Sequence, residues 1–338
     1  MLTEDKLQAL LALTNYRSQP NINPLWAIAK DLDAIRLNLK FFGYDLARSL
    51  AESLPPRTDL KPTAVGLTSK ACTQEDLESD WAAGWCAELK VPLVFHRKLW
   101  EFAFVLQALF EHGKLAEGMR GVGFGCGEEP IASYLASRGC QVLVTDLPPR
   151  DRKSGGWADG GQHATRLEKA FFADIVAETV FRQNVALEYV DMNAIPDSLR
   201  NFDFCWSICA LEHLGSIQKG LSFIERSIAT LKSGGVAVHT TEFNYLNDKE
   251  TIDNWDTVLF QRRHFQGLRE RLMAKGHTVL PLDFNIGSKP MDKFIDLPPY
   301  LHDWDEPMRR EWAAHLNHLK LSVDGFACTC FGLIVVKQ

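Results

Sequence analysis

The chain has 338 residues, 46% hydrophobic and 24% charged, with a formal net charge of −6. That is enough apolar material for a core, which excludes a largely disordered chain, and there is no basic run of the kind a duplex-binding face needs, so no nucleic-acid partner is expected. The opening MLTEDKLQALLALTNYRSQ lacks the order of a secretory leader, no apolar run reaches the ~20 residues of a membrane helix, and the eight scattered cysteines contain no Cys-x-x-Cys unit. Reduced thiols in a cytoplasmic protein are the expectation.

In chain order, residues 3–13 and 24–53 are predicted helices. The second carries Leu25, Ile28, Leu32, Ile35, Leu39 and Leu46 at helical spacing, starts at Asn23-Pro24 and stops before Pro55-Pro56. Residues 57–75 read as a loop, 76–89 as an amphipathic helix and 97–112 as a strongly apolar helix ending at Gly113. From residue 118 short apolar runs alternate with helical stretches, the pattern of strand–helix units on a parallel sheet. Strands are predicted at 119–123, 141–145, 186–190, 202–207, 234–241, 277–283 and 327–336, and helices at 129–138, 163–180, 217–232 and 260–275. The predicted fold is therefore α/β: a seven-stranded, mostly parallel sheet with an antiparallel edge strand, helices on both faces and an N-terminal helical extension. The expected division is a helical region 1–112 and a sheet domain 113–338 with an insert at about 284–326.

The glycines of Gly121-Val122-Gly123-Phe124-Gly125-Cys126-Gly127 follow a strand and open a helix near Pro130. Glycine is needed where backbone turns sharply against a ligand, and the helix start then offers free N–H groups. A dinucleotide fingerprint would want glycine at 128, where Glu128 stands. A carboxylate disfavours a pyrophosphate but suits the ammonium of an amino-acid ligand, so a nicotinamide-dependent oxidoreductase is the weaker rival. Asp146, at the tip of the next strand, can accept both hydrogen bonds of a ribose diol. Asp191 and Met192 close the third unit and suit an adenine amine and ring face.

Together with the Asn201–Ser207 strand, Leu211-Glu212-His213-Leu214 and the Leu231–Gly235 turn, this order resembles the class I S-adenosylmethionine-dependent methyltransferase family across about residues 118–245. The resemblance implies a Rossmann-like fold, S-adenosylmethionine as cofactor, and Gly123, Gly125, Gly127, Asp146, Asp191, Met192 and Ser207 as cofactor-side residues. The family often carries an acid at the position of Gly121; either Glu128 or Glu129 takes its place here or that contact is absent. The stretches His96–Phe102, Gly156-Trp157 and Asp296–Tyr300 are loosely similar to a bacterial subgroup linked to surface-glycan and small-molecule biosynthesis.

The expected reaction is methylation of a hydroxyl on a sugar, a glycan or another small molecule. An alcohol must lose its proton to a base, and His213, at the end of the fourth strand, has the right ordinary pKa. His239 and Glu242, read as the exit of the fifth strand, are the other catalytic candidates. Set beside plainer readings are a lid over 154–161 with Trp157, or a surface loop, with His163 beside it; an anion site at Arg262, Arg263 and His264, or more simply a solvated helix face; and a sugar-binding wall from Asp292, Asp296, Tyr300, His302 and Trp304, or more simply an ordinary folded flap. The spacing of Asp292 and Asp296 is not specific for a metal, and none is expected. Nitrogen or carbon methylation, and a non-catalytic protein that binds the cofactor, are the alternatives.

Overall fold

The computed structural model describes residues 32–58, 60–148, 167–300 and 317–338, with a few positions before residue 20. The predicted lid at 154–161, His163, His302 and Trp304 lie outside the described residues. Helix α1 (Leu32–Glu52) is followed by a short strand, β1 (Ser69–Ala71), inside the stretch expected to be a loop. The expected helix at 76–89 is divided into α2 (Gln74–Leu77) and α3 (Asp80–Leu89). Ser79 makes the division: its hydroxyl accepts the Ala82 N–H and starts a new helix.

Helix α4 (Arg97–Glu111) buries Leu99, Trp100, Ala103, Phe104, Val105, Leu106, Ala108 and Leu109. His96 caps it, with Nδ1 accepting the Lys98 N–H at 3.1 Å. The sheet units follow: β2 (Arg120–Phe124), α5 (Ile131–Ser137), β3 (Gln141–Asp146), α6 (Glu178–Asn184), β4 (Val185–Tyr189), β5 (Phe202–Ile208), α7 (Ile217–Ala229), β6 (Leu231–Asn244) and α8 (Arg262–Ala274). Short pieces β7 (Thr278–Val279), β8 (Leu282–Asp283), α9 (Pro290–Lys293) and β9 (Ile295–Asp296) lead to the hairpin of β10 (Lys320–Val323) and β11 (Phe326–Val336). Within the expected helix 163–180, the described part is a single 3-10 turn, Leu167–Ala170, followed by α6.

The sheet runs β4–β3–β2–β5–β6–β11–β1–β8, and β10 and β7 also pair with β11. Strands β4, β3, β2, β5 and β6 are parallel, and β11 returns antiparallel against β6 from Val336↔Val236 to Cys328↔Asn244. This is the expected α/β architecture, extended beyond the antiparallel strand by short strands. The order places β2 between β3 and β5, so the ends of these strands share one crevice. Helix α4 lies close on the sheet because Gly332 has no side chain: a Cβ there would stand 2.2 Å from the Phe104 ring.

The long β6 corrects one expectation. Its pairing with β11 carries it to Asn244, so His239 is in mid-strand rather than at the exit. On the helix side, Ile217, Leu221, Phe223, Ile224 and Ile228 of α7 close the core over β5 and β6. All eight cysteines are unpaired and buried. No helix among the described residues is long and apolar enough to cross a membrane.

Candidate active site

The glycine turn leaves β2 with Gly125 at φ +62° and Gly127 at φ +53°, conformations that side-chain-bearing residues rarely adopt. A Cβ on Gly125 would meet the Ala210 Cβ at 2.8 Å and the Met192 Sδ at 3.2 Å. The turn, the end of β5 and the residue after β4 therefore converge. Met192 is buried, and Asp191 caps its own short turn by accepting the Asn193 N–H at 2.8 Å. Asp146 ends β3 with its side chain 5% exposed, and its Oδ1 accepts the Leu147 N–H at 2.8 Å.

No acid could stand at Gly121 or Gly123. The Phe204 ring lies 2.2 Å from where a Cβ of Gly121 would be, and the Trp206 ring 2.3 Å from that of Gly123. Of the two substitutes, Glu128 is surface-paired with Lys169 at 2.6 Å. Glu129 is buried, and its Oε2 accepts the Trp206 indole N–H at 3.4 Å. Burial pushes the Glu129 carboxyl well above the usual carboxylate range; Lys98 pulls it down, while Glu101 and Asp146 add to the rise. Its electrostatic neighbours thus span the crevice from β3 to α4. A buried carboxyl short of positive charge is the natural counterpart of an ammonium. With the apolar Met192 and the carboxylate at the tip of β3, these residues fit an adenosyl amino acid.

Beyond Glu129 lies a cluster that the sequence reading did not assemble. Arg97, at the first turn of α4, pairs with Glu242 of β6 and donates to the Cys330 Sγ at 3.3 Å. One turn along, Glu101 is fully buried; its Oε2 accepts from the Cys209 thiol at 2.8 Å and from the Thr240 hydroxyl, and its Oε1 pairs with Lys98 at 3.4 Å. Burial raises the Glu101 carboxyl, but Lys98 and Arg97 outweigh it and hold the group below its ordinary value. Cys209 follows β5 at φ +43°, a strained position for a residue with a side chain. Glu212, in the 3-10 turn Leu211–His213, is also fully buried, and its Oε2 accepts from the Thr241 hydroxyl at 3.0 Å.

Two groups here, Glu101–Cys209–Cys330 and Cys209–Glu212–Glu242, have ligand atoms within 4.8 Å of one another, the spacing of a metal site. The Arg97 guanidinium already stands among the two sulfurs and Glu242 as their cation. Burial also pushes both thiols up. The chemistry of the cluster is that of carboxylates.

The expected catalytic residues divide. Glu242 is in the cluster. His213 is half-buried beside it, its Nδ1 3.0 Å from the Asp256 carbonyl and 3.2 Å from the Thr257 hydroxyl, which ties the loop after β6 to the end of β5. His239 is 1% exposed, with Nδ1 2.8 Å from the Ser207 hydroxyl and Nε2 2.9 Å from that of Ser227, against the Phe223 ring. Burial lowers its pKa to about 3. A histidine held neutral between two hydroxyls in the core is no base for a ligand, which corrects its expected role; the Ser207 hydroxyl is one of its two partners.

The insert corrects another expectation. Asp292 accepts the Gln74 and Lys289 N–H groups, and Asp296 is the centre of a buried knot with Lys40, Tyr44 and His318. Protein groups use both carboxylates, so neither is offered to a sugar. Arg262 covers the Phe284 ring at 5.1 Å, and His264 closes the start of α8 by accepting the Gln261 N–H. The signal for the missed cluster was Arg97, Lys98 and Glu101 in an otherwise apolar helix, on the face one turn apart.

A family model described as a methyltransferase domain matches residues 97–275, just over half of the chain. A search of curated proteins returned no match. Among solved structures, a candidate sarcosine dimethylglycine methyltransferase of Galdieria sulphuraria is 14% identical, covering 79% of this chain and 92% of its own, with a TM-score of 0.45. An S-adenosylmethionine-dependent methyltransferase of Mesorhizobium loti is 14% identical, covering 68% and 96%, with a TM-score of 0.39. Phosphoethanolamine N-methyltransferase 2 of Haemonchus contortus, in complex with S-adenosyl-L-methionine, is 15% identical over 69% of this chain and 51% of its own, with a TM-score of 0.37.

Proposed function

Because this chain belongs to the methyltransferase-domain family, we propose that it methylates a hydroxyl of a small molecule, with the acceptor seated over the ends of β5 and β6. S-adenosylmethionine is the methyl donor and supplies an electrophilic methyl group on a sulfonium. The supporting observation is the placement of Glu129, buried just after the glycine turn with the Trp206 indole N–H on its Oε2, and with Asp146, Glu101 and Lys98 as its charged neighbours. The Asp146 side suits a nucleoside and an ammonium, and the other holds carboxylates beside the place where the acceptor must lie.

In this reading Gly125 and Gly127 let the turn approach the ligand, Asp146 accepts the ribose hydroxyls, Met192 covers the adenine, with Asp191 at its edge, and Glu129 takes the ammonium. Residues 1–112 and the insert 284–326 form the acceptor-side cover of a methyltransferase domain at 113–338. Arg97 and Lys98 of the cover hold Glu242 and Glu101 in place. Holding donor and acceptor in line and dry is worth roughly 7–11 kcal/mol when alignment is good. With the carboxylates of the insert engaged elsewhere, the acceptor class is a hydroxyl compound in general, with sugars and glycans as members of it.

Calorimetry of S-adenosylmethionine and S-adenosylhomocysteine on the wild type and on Asp146→Ala tests the donor half. Release of S-adenosylhomocysteine with matched panels of alcohols and amines tests the acceptor half. Turnover confined to the amines would sink the hydroxyl reading and leave methyl transfer to nitrogen.

A further inference from the structure

The mechanism above leaves one buried group without a task. Glu212 is 0% exposed, and its Oε1 has no hydrogen-bond partner among the described residues. A buried carboxyl oxygen with no protein partner is destabilising, so it persists where water, an ion or a ligand partners it or where the open valence is used. No ion pair among the described residues reaches Glu212 either. Lys98 is paired with Glu101, and Arg97 with Glu242.

The surroundings place the group inside the carboxyl cluster at the end of β5. It follows the carboxyl end of β5, and carboxylate oxygens of Glu212 and Glu242 lie with the Cys209 Sγ inside 4.8 Å of one another. Its backbone carbonyl accepts the Val258 N–H, which fixes the turn under the loop that follows β6. The charged and titratable groups around it are Glu242 of β6, Glu101 and Lys98 of α4, Cys209 after β5 and the neighbouring His213, with Cys328 and Cys330 of β11 beyond Glu242.

We propose that Glu212 is the group that receives the proton lost by the acceptor hydroxyl. The hydroxyl oxygen bonds to the methyl carbon, the carbon–sulfur bond of the donor breaks with its electron pair left on sulfur, and the hydroxyl proton passes to Glu212 Oε1. Burial first, and then Glu242, push this carboxyl up to about 8. Once ionised it is a stronger base than an exposed glutamate, and a nearby sulfonium favours that ionised form. His213 keeps the role of tying the loop to the turn.

The proposal rests on the methyl-transfer reading, and the test separates the two. S-adenosylmethionine carries a sulfonium and S-adenosylhomocysteine does not. Binding of each is followed by calorimetry at pH 7.5 in two buffers of different ionisation enthalpy, which gives the protons released. The wild type is expected to release more proton with the sulfonium ligand. Glu212→Gln is expected to bind S-adenosylhomocysteine as the wild type does and to lose the extra release, while Glu212→Asp, a shorter carboxylate, recovers part of it. With an alcohol found in the acceptor panel, wild-type kcat/KM rises with pH through about 8; Glu212→Gln loses this limb, and its turnover falls by about 100-fold or more. Equal proton release with the two ligands, or a Gln variant that keeps the difference or the limb, overturns the assignment. A wild type that binds neither ligand overturns the donor reading and this one with it.

Discussion

Two knots of buried charge lie against opposite edges of β11, and they are built on different rules. On the β10 side, Asp296 accepts from Lys40 and Tyr44 at 2.8 Å, contacts His318 Nδ1 at 2.8 Å and accepts the Leu297 N–H at 2.9 Å, so both its oxygens are occupied. Burial raises its carboxyl, yet the contacts with His318 and Lys40 outweigh that and hold it below its ordinary value. On the β6 side, Arg97 and Lys98 face Glu101, Glu242, Glu212 and Glu129, and one oxygen of Glu212 is left open. A satisfied knot fastens one piece of chain to another. A knot with more carboxyls than cations, and with the Arg97 Nε and one oxygen each of Glu101 and Glu212 left without a hydrogen-bond partner among the described residues, is arranged for something that arrives from outside.

The largest effect that would break this contrast is on stability. Asp296→Ala leaves Lys40 and His318 buried without their shared anion, and should cost about 3–5 kcal/mol in urea unfolding. Glu212→Gln should cost nothing comparable, because the neutral amide matches the protonated carboxyl. If the two variants lose equal stability, both knots are structural and the distinction fails. Next in size is Asp146→Ala, expected to weaken S-adenosylhomocysteine binding by about 1.5–3 kcal/mol, the range of a hydrogen bond to a charged group. An unchanged dissociation constant by calorimetry would move the ribose away from β3.

Smaller effects sharpen the comparison through pH. The Glu212 carboxyl is raised in the fold, so the native state holds a proton that the unfolded chain has lost. Its stabilising effect is complete below the ordinary glutamate pKa and is lost as pH rises toward about 8. The melting temperature of the wild type should therefore fall, relative to Glu212→Gln, between pH 5 and 8. His239 has the opposite sense. Its pKa is lowered to about 3, so its contribution is present above the ordinary histidine pKa and lost as pH falls below it. His239→Gln should flatten the acid side of the melting curve and leave the pH profile of methyl transfer unmoved. A shift in that profile would return His239 to the active site.

How legible the molecule was in its sequence depends on the range of the interaction. The parallel strands, the glycine turn and the carboxylate at the tip of β3 are written in local periodicity and spacing, and the fold keeps them. His239 misled because hydrophobic alternation does not say how far a strand continues: pairing with β11 takes β6 to Asn244 and draws the histidine into the core. Asp292 and Asp296 misled because their partners come from residues 40, 44, 74 and 318, which no local pattern links to them. The cluster of Arg97, Glu101, Glu212 and Glu242 went unassembled for the same reason. The charged face of α4 and Glu242 could each be seen in their own segments, and only α4 packing across β5, β6 and β11 makes them neighbours.

The strand at Ser69–Ala71 has a consequence for assembly. It pairs with β11 at Phe331 and Gly332, and the Ser69 hydroxyl accepts the Ile334 N–H across 265 residues of chain. A ribosome must therefore release β11 before β1, paired on its other edge with β8, can join the rest of the sheet, and β6 keeps a bare edge until the same moment. The pairing that completes the sheet is among the most distant in sequence, so it is the slow and exposed step of folding, and the one at which a cell's chaperones would be needed.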